Sequence, residues 1–279
     1  MKRIVTVQDI SCLGKCSLTV ALPIISACGV EAVVLPTAVL SNHTAFKEFT
    51  FRDLTDDLDD IIDKWKKEGI TFDAIYTGYL GSFKQIEIVE KLIKDFKTEK
   101  TKIIIDPAMA DNGALYKGFS TDFAARMAVL CEKADVIVPN LTEASFMLNI
   151  PYVAEEYDES YVKNILIKLT DTGAKTAVLT GISLKKGELG AYVYDSLNKK
   201  FFYYSREKLP VSFHGTGDIF ASAMCGALVN DKSIEESNKI AVDYTVESMI
   251  KTMEDKNHEW YGVNFEQAIP YLTERLKKI

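Results

Sequence analysis

The sequence has no surplus of positive charge: 33 basic residues stand against 40 acidic ones, a formal net charge of -7 over 279 residues. No lysine- or arginine-rich tail or stripe breaks that balance, which argues against nucleic acid as a partner. No apolar run approaches the length of a bilayer span. The opening "MKRIVTVQDI" has neither the apolar region nor the cleavage site of a signal peptide, so a cytoplasmic protein with no membrane partner is expected. Histidine occurs only 3 times, at positions too far apart in the sequence to suggest a zinc site. The 5 cysteines, at 12, 16, 28, 131 and 225, form no disulfide framework, and the C-x3-C spacing of Cys12 and Cys16 is weak as a metal motif. Reduced, partly buried thiols are expected. A P-loop is missing too: "CLGKCS" holds Gly14 and Lys15 without the upstream glycine or a strand immediately before it, and reads as a mobile or polar loop. Linkers, low-complexity tracts and internal repeats are absent, so residues 1–279 are read as one domain.

What is present is an alternation of β-rich and helical segments. Ile4–Val7 is a short apolar run, "LTVALPIISACG" reads as a helix stopped by Gly29, and "VEAVVLPTAVL" is rich in β-branched residues. An acidic helix is expected from about Leu54 to Lys67. "FDAIYTGYLG" reads as a strand, and "SFKQIEIVEKLIKDF" places apolar residues at helical spacing behind a serine cap. "TKIIIDPAMADNG" is strand then loop, "FSTDFAARMAVLCEKA" a helix, and "DVIVPNLTEASFML" strand, loop, helix. This rhythm indicates βαβ units around a largely parallel sheet. "LGAYVYDSLNKKFFYYS" reads as an antiparallel hairpin at the sheet edge, and the chain is helical from Gly217 to its end. The fold class is therefore α/β. "DPAMADNG", "PNLTEA", "LTG" and "HGTGD" each follow a strand or precede a helix, which gathers them at the carboxyl edge where open α/β sheets bind ligands.

In "HGTGD", Gly215 and Gly217 permit tight backbone geometry, and the N–H groups from Gly215 to Asp218 are arranged for an anion nest at a helix terminus. Asp218 beside a bound phosphate could take the proton of an attacking hydroxyl; a capped helix explains the motif equally well on its own. Asn140 and Glu143 of "PNLTEA" read either as caps of a helix that begins near Thr142 or as magnesium and phosphate contacts. Asp106 and Asp111 of "DPAMADNG" read as strand-end residues or as part of an acidic magnesium environment. Singly, each has a structural explanation; together on one edge they favour a phosphate and metal site, since magnesium asks for few protein carboxylates. Lys15, Lys185 and Lys186 read as solvated surface. Trp65 and Trp260 read as packing residues, because both sit in charged helical or turn segments away from the strand-end loops.

The order of "SNHTAF", "YTGYLG", "DPAMADNG", "PNLTEA", "LTG" and "HGTGD" resembles that of pyridoxal kinases of the ribokinase superfamily, over nearly the whole chain. "GTGD" alone marks the superfamily; "SNHT" and "TGYLG" at these positions are more specific. The resemblance implies a ribokinase-like three-layer α/β/α fold and transfer of the γ-phosphoryl of ATP to the 5′-hydroxyl of pyridoxal, pyridoxine or pyridoxamine. It implies magnesium, with a monovalent cation such as K+ as an open addition. The family's catalytic base matches Asp218, and its anion hole matches Gly215, Thr216 and Gly217. Its magnesium and phosphate residues match Asp106, Asn140 and Glu143, with Asp106 and Glu143 on the metal side. Asp111 and Tyr116 match the loop that approaches the phosphates, Thr180 and Gly181 a turn flanking nucleotide, and the run from Lys208 to Phe213 the adenine-side loop.

On the substrate side the resemblance matches His43 and Thr44 to residues near the pyridine ring and Tyr79 to an aromatic residue beside it. Gln8 and Asp9 match substrate-binding positions, and many relatives carry after the glutamine a serine that touches the ring nitrogen or the 3-hydroxyl. Asp9 departs from that pattern and could accept from a protonated ring nitrogen. Relatives specialised for hydroxymethylpyrimidine often carry cysteine where Asp218 stands, although "HGTG" is shared with them. Hydroxymethylpyrimidine kinase and a non-catalytic nucleotide-binding regulator of the same fold are the alternatives. A homodimer is implied by the resemblance, and the strand from Val30 to Val39 reads as an open sheet edge that dimerisation would cover.

Overall fold

The computed structural model describes residues 1–278. Nine strands form one sheet: β1 (Arg3–Ser11), β2 (Glu31–Leu40), β3 (Phe51–Asp53), β4 (Ala74–Thr77), β5 (Lys102–Ile105), β8 (Val136–Ile137), β9 (Thr176–Ile182), β10 (Glu188–Asp195) and β11 (Lys200–Glu207). Two further strands, β6 (Ala110–Asp111) and β7 (Ala114–Leu115), form a separate hairpin in the loop after β5. The large sheet runs β11-β10-β9-β8-β5-β4-β1-β2-β3. Its six central strands pair in parallel, and the outer pairs β9/β10, β10/β11 and β2/β3 are antiparallel.

Alternation along the strands assigns residues to two cores. One face of the sheet, with Val5, Val7, Ile75, Ile103 and Ile105, packs against α2 (Thr55–Lys67), α3 (Phe83–Phe96), α4 (Thr121–Cys131), α5 (Leu141–Met147) and α6 (Glu159–Asp171). The other face, with Ile4, Ala74, Tyr76 and Ile104, packs against α1 (Leu18–Ala27), α7 (Thr216–Val229), α8 (Ile234–Glu254) and α9 (Phe265–Lys278). The result is a three-layer α/β/α molecule with a mostly parallel central sheet, as the rhythm of the sequence implies. Serines start helices where the patterning places them: Ser82 Oγ accepts from Gln85 N at 3.2 Å and Ser120 Oγ from Phe123 N at 3.2 Å. No helix among the described residues is long and apolar enough to cross a membrane, and all five cysteines are free thiols.

Three readings of the sequence need correction. Val30–Val39 is not an open edge, because β3 pairs antiparallel with β2 and takes the edge position. The segment "CLGKCS" is tied down rather than mobile: Cys12 N and Leu13 N donate to Leu40 O and Ser41 O, and Leu13 O accepts from His43 N. Thr180 and Gly181 lie within β9 rather than in a turn. Gly181, at φ 70°, is the extra residue where the β9/β10 register shifts, a glycine bulge. α6, β3 and the β6/β7 hairpin are elements that the sequence reading passes over.

Candidate active site

The carboxyl ends of the parallel strands β1, β4, β5 and β8 lie along one edge of the sheet, and Asp218 in the first turn of α7 comes close enough to Asp106 to raise its carboxyl. Gly215 is the N-cap of α7 at φ 84°, ψ 0°, in the left-handed region. A Cβ on Gly215 would lie 2.0 Å from Lys15 O, so the position demands glycine on two counts. Gly217 is different, since a Cβ there would meet nothing within 4 Å. Its bareness leaves the first turn of α7 open, where the N–H groups of Thr216, Gly217 and Asp218 have no acceptor within the helix.

Asp218 is half-buried in that first turn, and its Oδ2 accepts from Ser17 N at 2.9 Å. Ser17 reaches it from an unusual backbone, φ 52° and ψ -134°, a region close to glycine's preserve. Burial, with Asp9 adding like charge, pushes the Asp218 carboxyl up to about 6. A group poised there is suited to accept a proton near neutral pH.

Two more acids stand opposite. Asp106 follows β5, is buried, and accepts from Ala108 N at 3.2 Å through Oδ1. Burial first, then Glu143 and Asp218, raise its carboxyl well above the usual range. Glu143 is buried in α5; its Oε1 accepts from Met109 N at 3.0 Å and its Oε2 from Asn140 N at 2.8 Å. Burial outweighs these backbone bonds and pushes its carboxyl up to about 7. Asn140 is the N-cap of α5, one residue earlier than a helix beginning near Thr142. It completes a capping box with Glu143 and donates from Nδ2 to Ala110 O at 2.8 Å. The structural and functional readings of "PNLTEA" therefore coexist in one pair of residues.

Asp111 ends β6 and Tyr116 follows β7. Asp111 accepts from the backbone N–H of Asn112 at 2.8 Å and from its side-chain amide at 3.1 Å. Tyr116 is partly exposed, and burial and the nearby acids keep its phenol protonated. Thr180 N donates to Pro139 O at 3.0 Å, which sets β9 beside the "PNLTEA" loop. Phe213 lies against His258, ring centroids 5.8 Å apart.

Asp9, near enough to Asp218 to act on its carboxyl, is buried and accepts from Ser11 Oγ at 3.0 Å. Burial raises its carboxyl, while hydroxyls of Ser17 and Ser11 oppose the shift. Tyr79 is half-buried and stands close enough to Asp9 for that acid to raise its phenol further, after burial. His43 is 5% exposed; its Nε2 donates to Tyr261 O at 2.9 Å and its Nδ1 accepts from Ala45 N at 3.2 Å. Thr44 is exposed beside it. Gln8 is withdrawn from the cleft: it has no exposed surface, lies beneath Gly78, and donates to Thr6 Oγ1 at 2.9 Å.

Lys15 is not simply solvated surface, because its Nζ donates to Asn264 Oδ1 at 3.1 Å and Glu266 Oε2 at 2.9 Å. Trp65 packs against Phe72 at 5.7 Å, as a packing residue should. Trp260 does not sit apart from the cleft; its ring lies 6.0 Å from His43 and 6.3 Å from His214. Among the described residues no group of three or more His, Cys, Asp and Glu is placed to hold a metal alone. Asp106 and Glu143 still fit a divalent cation that brings water and phosphate oxygens of its own. Both are buried, Glu143 raises the proton affinity of Asp106 and Asp111 that of Glu143, and positive charge would relieve them.

The three-layer α/β/α architecture, with Asp218 in the open first turn of α7, is ribokinase-like. Comparison with known proteins narrows this further. The model of the phosphomethylpyrimidine kinase family matches residues 21–262. A Bacteroides thetaiotaomicron structure, provisionally named a phosphomethylpyrimidine kinase and crystallised in a form with pyridoxal, is 38% identical; the match covers 97% of this chain and 95% of that one at a TM-score of 0.92. Pyridoxal kinase from Lactobacillus plantarum is 26% identical, with 98% and 97% covered and a TM-score of 0.90. The pyridoxal kinase of Dictyostelium discoideum is 24% identical over 293 residues, 97% of this chain and 95% of that protein. The chain belongs to the phosphomethylpyrimidine kinase family, within the pyridoxal and pyridoxine kinase-like part of the ribokinase superfamily.

Proposed function

We propose that this protein transfers the γ-phosphoryl of ATP to the 5′-hydroxyl of pyridoxal, pyridoxine or pyridoxamine, giving the 5′-phosphate and ADP. One observation carries the reading: Asp218, held by Ser17 N–H, shares its cleft with a buried carboxylate, Asp9, set near His43 and Tyr79. That surrounding suits a flat aromatic alcohol with a basic ring nitrogen better than a sugar, which needs polar contacts around its whole rim. Crystallisation of the 38% identical relative with pyridoxal supports the same choice.

In the proposed reaction Asp218 takes the proton of the acceptor hydroxyl. The oxygen bonds to the γ-phosphorus as the bond from that phosphorus to the β-bridging oxygen breaks, and ADP leaves. The N–H groups of Gly215, Thr216 and Gly217 face the charge on the transferred group. Asp106, and Glu143 through water, would hold Mg2+, which neutralises charge on the phosphates. Asn140, Asp111 and Tyr116 line the phosphate side, and Thr180, Gly181 and Phe213 the nucleotide side. Asp9, His43, Thr44 and Tyr79 receive the ring, with Gln8 supporting the floor from below.

Phosphorylation of hydroxymethylpyrimidine is the second reading, favoured by the name of the matching family model. The two separate in a direct test: magnesium-dependent ADP release with each B6 alcohol and with hydroxymethylpyrimidine. Release that requires a B6 alcohol supports the first reading. Tight ATP binding without release from any acceptor would make the protein a nucleotide-binding regulator.

A further inference from the structure

Trp260 is 53% exposed, yet it is in contact with both loops that border the reacting groups. On the acceptor side its ring lies 4.6 Å from Phe46 and edge-on to His43 at 6.0 Å. On the phosphate side it lies edge-on to His214 at 6.3 Å, next to the N-cap of α7. His43 and His214 are themselves 5.4 Å apart, so the indole and the two imidazoles form a triangle of ring contacts.

The segment that carries Trp260 is anchored by two residues, His43 and Lys15. Tyr261 O accepts from His43 Nε2 at 2.9 Å. Lys15 reaches past it to Asn264 and Glu266. Gly262 lies so close to Lys15 that an added Cβ would come within 2.5 Å of Lys15 Cβ. A half-exposed indole contributes little to the core, and its fixed contacts with two cleft loops are better explained by what enters between them.

Building on the function proposed above, we infer that Trp260 is a positioning residue of the acceptor site. Through His43 and Phe46 on one side and His214 on the other, it holds the acceptor loop in register with the phosphate loop when a flat ring is bound. The sequence contains only one other tryptophan, Trp65, in the opposite helical layer against Phe72, so emission from the two can be separated.

The test uses the alcohol that the wild-type protein phosphorylates best, so an error in the vitamer assignment leaves it intact. Trp260→Ala should raise the acceptor KM about tenfold while the KM for ATP stays within about twofold, and Trp260→Phe should recover most of the loss. In Trp65→Phe protein, whose emission comes from Trp260, saturation with the acceptor should shift or quench fluorescence; in Trp260→Phe protein it should not. The inference is overturned by an unchanged acceptor KM in Trp260→Ala, by a parallel rise in both KM values, or by an emission change that survives in Trp260→Phe. Preference of the wild type for hydroxymethylpyrimidine would instead fail the proposed function and leave this inference to stand or fall on its own readouts.

Discussion

Asp218 carries its charge against its surroundings. Its folded-state carboxyl sits at about 6, above the ordinary 3.8, because burial outweighs the Ser17 N–H bond. A raised value means that the proton stabilises the fold: this contribution is complete below 3.8 and is lost as pH rises through about 6. Asp218→Asn keeps an acceptor for Ser17 N–H and removes the charge. At pH 8 it should therefore melt above the wild type, by the equivalent of about 1–2 kcal/mol once solvent access is allowed for. Single-turnover transfer should fall about 10²- to 10⁴-fold while ATP still binds. In the wild type, kcat/KM should decline as pH drops through about 6 and Asp218 protonates. A folded Asn variant with near-normal transfer would remove Asp218 from its proposed role. Ser17 offers a second test at this scale. Its backbone conformation costs a serine about 1–3 kcal/mol and a glycine far less. Ser17→Gly should accordingly raise the urea midpoint; a lower midpoint would mean that contacts of the side chain outweigh the strain.

At the scale of elements, the start of α7 separates a structural glycine from a functional one. Gly215→Ala places a Cβ against Lys15 O in a left-handed backbone, and should destabilise the protein by more than about 1 kcal/mol. Gly217→Ala has open space and an ordinary backbone, so the protein should melt like the wild type but bind ATP several-fold more weakly, as a methyl covers the open helix terminus. Calorimetry for folding and ATP titration for binding distinguish the two; equal ATP affinity in Gly217→Ala would argue against phosphate at this terminus. The elements readable in the sequence were those with two agreeing signals, such as a serine cap ahead of a 3.6-residue apolar period in α3 and α4. α6 had both signals, Asp158 capping Tyr161 N and buried Val162, Ile165, Leu166 and Leu169, and was readable in principle. The β6/β7 hairpin was marked only by Asn112–Gly113 at its turn. β3 left no pattern, being three exposed residues. The acids of the cleft were legible because strand ends in a parallel sheet share one edge. The Ser17–Asp218 bond joins residues 201 positions apart and the His43–Tyr261 bond residues 218 apart. No local pattern encodes such pairs, which is why Trp260 read as packing.

For the whole molecule, the edge strand β3 bears on assembly. Phe51 is half exposed on it and Phe49 just before it is also exposed, so a homodimer covering this edge is proposed in place of one built on β2. Sedimentation at micromolar concentration should show a dimer; a single monomer species would set that aside without touching the chemistry. The choice of acceptor is the central claim. Asp9 makes the ring side of the cleft acidic and buried, which favours a ring with a basic nitrogen over a sugar, and the choice of pyridine over pyrimidine follows the relative crystallised with pyridoxal. The most direct measurement is catalytic efficiency, side by side and with MgATP, for pyridoxal, pyridoxine, pyridoxamine, hydroxymethylpyrimidine and a small panel of sugars. The expected result is a clear preference for the three B6 vitamers over the pyrimidine and the sugars. A higher efficiency with hydroxymethylpyrimidine, or with any sugar, would contradict it.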